Sequence, residues 1–470
     1  MEFDRDVYAS MHKWKADCAT NKVALEIKGA RQIGKTHSVR KFGRDCFRAV
    51  HELNLKDPLS SARIVEIFGA GVFGSDASTV PVFPSGTSVE QLLKMLFPDF
   101  RDEPDVLLFF DEVQESAYFY NLIRPINRQL KCQLIVSGSF LGRVQQQGFF
   151  IPVGDSKAIT MRSLSFPEFL GAVGLRSLYD STDLYGGSDP ENYAELYENL
   201  KLYLRIGGHP KVVEQVLLTK SIDAAYSMLD EVVTKFCEES AEYSNEVSDI
   251  VRLRNLLHGV ASLMLREGGR YSSFSKELGK IVGEKNRRSV ENALSWFWQS
   301  GILEPCARAN NCDPMNITPD CRFYFTDPGI AHVLYRKVSM PDSQIFGNLC
   351  AGFAYACVRD IKGLSQASPL FATHGDGELD FIYFVRSGGK VVSVGIEVKG
   401  GNNIGKTANR LLQYGLLDYL VNAKGTSKGG RLENVFTIPL ALLGRFNIFD
   451  FIENDDAKIS DEMVIRLKGV

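Results

Sequence analysis

"GARQIGKT", residues 29–36, fits the phosphate-binding pattern G-x-x-x-x-G-K-[ST] and lies just after the apolar stretch "VALEI". Its glycines allow the backbone to turn so that successive N–H groups point at phosphates, while Lys35 reaches the β- and γ-phosphates and the Thr36 hydroxyl holds magnesium. Chance alone would produce the pattern roughly 0.02 times in a chain of this length. The stretch therefore predicts a strand, a nucleotide-binding loop and a helix. The predicted nucleotide contacts are Gly29, Ala30, Arg31, Gln32, Ile33, Gly34, Lys35, Thr36 and His37.

A second apolar stretch, "VLLFFDE" at 106–112, predicts a strand that ends in two carboxylates. At the end of a strand beside a nucleotide-binding loop, Asp111 would help to hold magnesium, and Glu112 would orient or deprotonate the attacking water. The sequence thus predicts ATP hydrolysis that depends on Mg2+, with Lys35 and Glu112 as the catalytic residues.

The stretch "CQLIVSGS" at 132–139 predicts a further strand with small polar residues at its end. Ser137 or Ser139 would lie near the γ-phosphate, and we count Ser139 among the nucleotide contacts; a simple strand-ending turn explains both serines equally well. Arg124, Arg128 and Arg143 are candidates to neutralise phosphate charge, and the sequence does not choose among them. An arginine donated by a neighbouring subunit would make the protein an oligomer.

Apolar runs alternate with amphipathic stretches over the first 165 residues, which is typical of a parallel sheet layered with helices. "IVEIFGAGVF" at 64–73 is one of the runs that we interpret as a strand. Further along, two short helices around Gly283 followed by strands match helix-turn-helix geometry. The predicted domains are an α/β domain at 1–165, a helical connector at 166–265, a winged-helix-like segment at 266–338 and a second α/β domain at 339–470.

Three basic residues, Lys285, Arg287 and Arg288, lie at the start of the second of these helices. A DNA-reading helix would present its charge at this position. The same kind of module also serves purely as a protein-packing element, and the stretch "SWFWQSGIL" in the same segment demands burial. DNA contact and packing both remain open for this segment.

The phosphate-binding pattern occurs again as "GGNNIGKT" at 400–407, after one predicted strand and before a helix. The next apolar run, "NVFTIPLALLGRF", ends without an acid that could hold magnesium. Because a complete nucleotide site needs that acid, we interpret the second match as a coincidental loop and predict one ATP site.

Another group of charges lies just before this second match. Glu397 and Lys399 are two residues apart on a predicted strand and so face the same side, and a hairpin could bring Asp380 alongside them. Two carboxylates that bind metal and a lysine that orients water are what magnesium-dependent phosphodiester cleavage needs. The sequence therefore predicts a tentative metal site at Asp380 and Glu397, with solvated charges on an edge hairpin as the alternative.

Composition narrows the classes of protein without choosing one. The net charge of −3 gives no overall attraction to nucleic acid or anionic membranes, so such a contact would need a local patch. Nine scattered cysteines indicate reduced thiols and a cytoplasmic protein. No apolar run approaches the length of a membrane span.

A set of motifs in fixed order resembles the bacterial and archaeal AAA-type ATPases that carry the C-terminal domain DUF4143. The resemblance covers nearly the whole chain. It implies an AAA-like P-loop core, a winged-helix segment and a C-terminal α/β domain similar to PD-(D/E)xK nucleases. Relatives commonly have a glutamate in the helix after "FxN", whereas "FGNLCAGFAYACV" has no acid, so one metal ligand of a nuclease is missing. The motifs are "KGARQIGKT", "LLFFDEVQ", "LIVSGS", "LSFPEFL", "YLRIGGHP", "FYFTDPGI" and "LDFIYF…IEVK".

Two functions are consistent with these patterns. The first is an ATP-hydrolysing switch or motor that acts on nucleic acid through the winged-helix and nuclease-like domains. The alternative is a nucleotide-gated scaffold whose C-terminal domain binds a protein partner and cuts nothing. ATP and Mg2+ are the expected cofactors of both.

Overall fold

The structure, a computed structural model, describes residues 2–73, 87–139, 152–243, 249–266, 273–359, 369–375, 377–401, 406–425 and 428–453. The chain forms two compact units. Unit 1 consists of residues 1–164 together with 295–302, and unit 2 consists of 165–294 together with 303–470.

Unit 1 is built on a five-stranded parallel sheet with the strand order β2-β3-β4-β1-β5. Both β3 and β4 are buried along their whole length, as expected of central parallel strands. The elements of unit 1 are α1 (Val7–Asp17), β1 (Ala24–Lys28), α2 (Lys35–Cys46), β2 (Ala49–Asn54), α3 (Pro58–Phe68), α4 (Val89–Leu96), β3 (Val106–Asp111), α5 (Ala117–Asn121), α6 (Ile123–Gln129), β4 (Gln133–Gly138) and β5 (Ser156–Thr160).

Helices cover both faces of this sheet because successive strand residues point to opposite sides. In β3, Leu108 and Phe110 pack with α3, α4 and α6 on one face. Leu107 and Phe109 pack with α1 and α2 on the other face. The predicted α/β layering of the first domain is therefore confirmed.

The strand predicted at 64–73 is wrong, and the missing strand lies earlier, at Ala49–Asn54. Asp57 accepts a hydrogen bond from the Ser60 N–H (2.9 Å) and Pro58 occupies the first helical turn, so a helix starts there. This helix, α3, includes the first half of the apolar stretch and ends before Gly69, which has a φ of 82°. A short apolar run does not by itself separate a strand from a buried helix, and the helix-start signal upstream decides.

Unit 2 combines helices with a mixed eight-stranded sheet of order β12-β13-β11-β10-β9-β8-β6-β7. The last turn of α14 belongs to unit 1. The elements are α7 (Phe166–Ala172), α8 (Arg176–Ser181), α9 (Pro190–Ile206), α10 (Pro210–Thr219), α11 (Ile222–Tyr243), α12 (Ile250–Met264), α13 (Phe274–Val282), α14 (Arg287–Gln299), β6 (Leu303–Asn310), β7 (Ile317–Phe325), α15 (Pro328–Tyr335), α16 (Asp342–Arg359), β8 (Leu370–His374), β9 (Gly377–Ser387), β10 (Lys390–Lys399), α17 (Lys406–Gln413), β11 (Tyr419–Lys424), β12 (Gly430–Leu432) and β13 (Val435–Pro439).

The predicted order of two helices, a turn at Gly283 and two strands is present as α13, α14, β6 and β7. Gly283 ends α13 with a φ of 73°. The two strands do not form a separate wing, however, because β6 also pairs in parallel with β8 of the large sheet. None of the described helices is long and apolar enough to cross a lipid bilayer.

Candidate functional site

The loop that carries "GARQIGKT" lies at the carboxyl end of β1, and α2 begins at Lys35. Gly29 has a φ of 151°, and a Cβ at this position would lie 2.0 Å from the Met161 carbonyl oxygen. Gly34 has a φ of 92°, in the left-handed region that favours glycine. Both glycines of the pattern are therefore required by the backbone, and the loop leads into a helix N-terminus as a phosphate site does.

Lys35 is 5% exposed, and its amine lies inside the loop. The Nζ donates to the carbonyl oxygens of Gly29 (3.0 Å) and Ala30 (2.8 Å) and to Ser139 Oγ (2.9 Å). Burial lowers the pKa of Lys35 to about 8, and the nearby carboxylates of Glu112 and Asp111 act in the opposite direction. The ammonium thus lies where an anionic ligand in the loop would relieve its desolvation.

Asp111 ends β3, and its carboxylate accepts hydrogen bonds from side chains of β2, β4 and α2 and from one backbone N–H. Its Oδ2 accepts from Thr36 Oγ1 (2.7 Å) and Asn54 Nδ2 (3.2 Å). Its Oδ1 accepts from the Glu112 N–H (3.1 Å) and from Ser137 Oγ. Burial raises the pKa of Asp111, and the hydrogen bonds from Ser137 and Thr36 lower it. The result is a fixed carboxylate beside the loop threonine.

Glu112 adopts a left-handed backbone conformation with a φ of 53°, which is uncommon for a residue with a side chain. Its Oε1 accepts from Ser139 Oγ (3.1 Å) and its Oε2 from Gln114 Nε2 (2.5 Å). Ser139 is therefore hydrogen-bonded to both Lys35 and Glu112, the two residues to which the sequence analysis assigned catalysis.

The side chains of the remaining loop residues contribute less to the candidate nucleotide site. Ile33 belongs to the hydrophobic core of unit 1, so only its backbone remains for a ligand. Gln32 and His37 are exposed, and Arg31 is half-buried. Their predicted contacts with nucleotide stay predictions.

Two of the three candidate arginines, Arg124 and Arg128, do not lie at this site. Arg124 and Arg128 of α6 both bind Asp155, at 3.0 and 2.9 Å. Asp155 immediately precedes β5, and its carbonyl oxygen accepts from the Ala24 N–H at the start of β1. These two arginines are thus at the amino edge of the sheet, opposite the nucleotide-binding loop, and cannot neutralise phosphate in their own chain. Arg143 lies outside the described residues.

Three residues of the site escaped the sequence analysis: Arg5, Asn54 and Gln114. The buried Arg5 guanidinium donates to the carbonyl oxygens of Ile33 (3.0 Å) and Arg162 (2.6 Å), which fixes the loop to the end of β5. Asn54 ends the strand that the sequence did not reveal. Gln114 stood in the quoted motif "LLFFDEVQ", where its place two residues after Glu112 was the available signal.

A second acidic cluster lies on the β9–β10 hairpin of unit 2, where the register pairs Ile396 with Phe381. Asp380 Oδ2 accepts from the Val398 N–H (2.7 Å), and Glu397 Oε1 is 2.7 Å from Lys399 Nζ. Burial, and then the Asp380 carboxylate, raise the pKa of Glu397 to about 7. Burial also raises the pKa of Asp380. The hairpin therefore brings all three predicted residues together.

A cavity of about 340 Å³ in unit 2 is lined by Asp380 and Lys399 from this cluster. Gly347 and Asn348 of α16 line it too, so no acid comes from that part of the helix. Arg322, another lining residue, is paired with Glu378 at 2.5 Å. Among the described residues, no group of three or more histidine, cysteine, aspartate or glutamate side chains is placed to hold a metal ion. The predicted metal role of Asp380 and Glu397 thus lacks a third ligand of these types.

Residues 402–405 of the second phosphate-binding pattern lie outside the described part of the chain, as does the Lys406 side chain. The neighbouring parallel strand, β11, ends in Lys424, which pairs with Lys399. At the first site Asp111 ends β3, which is two strands away from β1, whereas the strand two away from β10 is β13, which ends in Pro439. The second pattern therefore has no acid at the strand end where the first has Asp111.

The parallel sheet of unit 1 and the loop at the end of β1 define a P-loop fold. Residues 21–170 match a family model described as an AAA domain, which supports an AAA-type ATPase. Residues 197–341 match a domain of unknown function, DUF8612. This domain is not DUF4143, so the AAA part of the resemblance is confirmed and the more specific family is not. No curated protein matches the chain.

Several solved structures are similar to this chain. A Walker-type ATPase of Pyrococcus abyssi is 13% identical, with a TM-score of 0.41, and the match covers 71% of this chain and 96% of the other. The Aeropyrum pernix ORC1 protein in complex with DNA is 15% identical, with a TM-score of 0.30 and coverage of 72% and 93%. The RuvB Holliday junction branch migration motor of Thermotoga maritima is 10% identical, with a TM-score of 0.27 and coverage of 67% and 91%.

Proposed function

We propose that unit 1 binds one ATP together with Mg2+ and hydrolyses it. The observation that carries the proposal is the hydrogen-bonded chain from Lys35 through Ser139 to Glu112, beside the bond between Thr36 and Asp111. These contacts bring a cation, two hydroxyls and two carboxylates together at the loop and at the strand ends near it.

Each residue has a role that its surroundings support. Lys35 exchanges its bonds to the carbonyl oxygens of Gly29 and Ala30 for bonds to phosphate, which stabilise its charge better than neutral acceptors do. Glu112 orients and deprotonates the attacking water, because its carboxylate is already held next to Ser139.

The residues at Asp111 fit a magnesium ion. Mg2+ prefers hard oxygen ligands, and Thr36 Oγ1 and the Asp111 carboxylate face each other at 2.7 Å. We infer that these two residues hold the ion, which neutralises phosphate charge when bound. Asn54 and Ser137 keep the carboxylate oriented for it.

The test compares two lysines that occupy the same place in the two copies of the pattern. Lys35→Ala should abolish the binding of a fluorescent ATP analogue and the release of phosphate, whereas Lys406→Ala should leave both unchanged. Loss of binding in Lys406→Ala with retention in Lys35→Ala would show that the nucleotide site is elsewhere.

We propose further that ATP turnover drives a switch that acts on nucleic acid. Lys285, Arg287 and Arg288 are all exposed at the start of α14, although Arg287 is paired with Glu291 at 2.8 Å. The cavity beside Asp380 and Lys399 could hold a phosphodiester or an acidic group of a protein. The alternative, a nucleotide-gated scaffold without cleavage, is favoured by the missing third acid.

Two measurements separate the switch from the scaffold. If nucleic acid is the target, a Lys285→Ala, Arg288→Ala double variant should weaken binding to duplex DNA in fluorescence anisotropy, most strongly at low salt. Nicking of plasmid with Mg2+ should be feeble in the wild type, absent in Asp380→Ala and unchanged in Asp450→Ala, which alters an exposed carboxylate of unit 2. The absence of both DNA binding and nicking in the wild type would favour the scaffold.

A further inference from the structure

Gln114 lies in the short helical turn Val113–Glu115 that follows Glu112, and it is 1% exposed. Its amide nitrogen donates to Glu112 Oε2 at 2.5 Å and, more weakly, to Glu115 Oε1 at 3.4 Å. Its amide oxygen is buried and has no hydrogen-bond partner among the described residues. One end of this amide is therefore occupied by carboxylates and the other end is unpaired.

The Glu112 carboxylate fixes which way the amide points. If the amide were turned over, its oxygen would face Glu112 Oε2, and two acceptors would lie at hydrogen-bond distance without a proton between them. The nitrogen must therefore face Glu112, and the unpaired oxygen is the consequence of that orientation.

This arrangement is costly for folding alone. A buried polar group left without a partner destabilises a protein by about 1–3 kcal/mol, and an apolar side chain of similar size would avoid that cost. The left-handed backbone of Glu112 adds strain of about 1–3 kcal/mol. Unfavourable groups of this kind concentrate at functional sites, where surrounding contacts hold them in place.

Glu112 is held at both of its oxygens. Ser139 Oγ donates to Oε1 and is itself bonded to Lys35, while Gln114 donates to Oε2. Two donors on different oxygens restrict rotation of the carboxylate plane, and a carboxylate still has lone pairs free to accept from water. An oriented base loses less entropy when it meets its substrate.

We propose that Gln114 is a positioning residue that fixes the Glu112 carboxylate for the activation of water. This inference rests on the proposed function, in which Glu112 activates the water that attacks ATP. Gln114 itself touches neither nucleotide nor water in this scheme and acts through Glu112.

The test is a double-mutant cycle on the full chain. Gln114→Ala should lower kcat for ATP about 10- to 100-fold, because displacement of a catalytic group by about 1 Å costs rate on this order. The KM should change less than about twofold, since the loop and Lys35 are untouched. In a Glu112→Gln background, Gln114→Ala should cause no further loss, because a residue that acts through Glu112 has nothing left to position.

Two further variants guard against an effect of misfolding. Gln114→Met has nearly the same length and fills the same space but cannot donate to Glu112, so kcat should fall as in Gln114→Ala while binding of the ATP analogue is retained. Glu115→Ala removes the weaker contact of the Gln114 amide and should leave kcat within about twofold of the wild type.

The outcomes separate this inference from the proposed function. Equal rate losses from Gln114→Ala with and without Glu112→Gln would overturn the positioning role and leave the ATPase intact. A Gln114→Met variant with wild-type kcat would overturn it as well. A wild-type protein that binds ATP but releases no phosphate would instead overturn the proposed hydrolysis.

Discussion

The two acidic clusters of this protein differ in what their carboxylates bind. Asp111 and Glu112 accept hydrogen bonds from neutral groups, namely hydroxyls, side-chain amides and a backbone N–H. Lys35 lies beside them but directs its amine to carbonyl oxygens and to Ser139. In unit 2, by contrast, Glu397 is paired directly with the Lys399 ammonium.

The kind of partner decides whether the charge of a carboxylate is available to a ligand. Neutral donors orient a carboxylate without cancelling its charge, so the charge remains available to a cation or to a proton from water. A paired ammonium cancels the charge, and a metal ion must then displace or outcompete it. The carboxylates of the first cluster are thus arranged to act on a ligand. In the second cluster, the negative charge is largely neutralised by residues of the cluster itself.

The sharpest way to test the comparison is to neutralise one glutamate in each cluster. Glu112→Gln should lower ATP turnover at least about 100-fold while ATP stays bound, because the variant cannot take a proton from water. Glu397→Gln serves as the control and should leave turnover within about twofold. Phosphate release and binding of the ATP analogue are the measurements, and unchanged turnover in Glu112→Gln would move the catalytic role elsewhere.

Removal of the cation from the second cluster should have a moderate effect on stability. Lys399→Ala leaves the buried Glu397 carboxylate without its partner, and breaking a buried ion pair costs about 3–5 kcal/mol. Because the Lys399 side chain is 37% exposed and water screens the pair, we expect about 1–2 kcal/mol.

Urea unfolding measures this loss, and Lys390→Ala, at an exposed position on the same strand, is the matched control. A Lys399→Ala protein as stable as the wild type would mean that the cluster is not balanced by its lysine.

The smallest expected effect concerns pH. The pKa of Glu397 rises from 4.5 to about 7 in the folded protein, so between these values the folded state holds a proton that the unfolded state has lost. The contribution of this group to stability is therefore greatest below about pH 4.5 and declines as pH rises to about 7. Relative to Glu397→Gln, the wild type should lose about 1 kcal/mol between pH 6 and 7 in urea unfolding. An identical pH dependence of the two proteins would show that Glu397 has an ordinary pKa.

Local patterns predicted the parts of the first site that are close in the chain. The loop at 29–36 and the strand ending in Asp111 and Glu112 stand where the sequence placed them, because each combines a strong turn or apolar signal with its functional residues. The strand predicted at 64–73 was wrong because a helix-start signal at Asp57 and Pro58 makes the first part of this apolar run helical. The strand β5 escaped notice since "SKAIT" is a polar edge strand without an apolar run.

The sequence by itself determined that this chain has a phosphate-binding loop, an acid pair at a strand end and an acid–lysine group on a hairpin. Only the tertiary structure decided that Asn54 and Ser137 hold Asp111, that Gln114 and Ser139 hold Glu112, and that Arg124 and Arg128 lie at the opposite edge of the sheet. The physical reason is that residue spacing encodes contacts within one turn or one hairpin. Contacts between separate segments depend on the strand order β2-β3-β4-β1-β5, which is set by packing of the whole sheet and not by any local pattern.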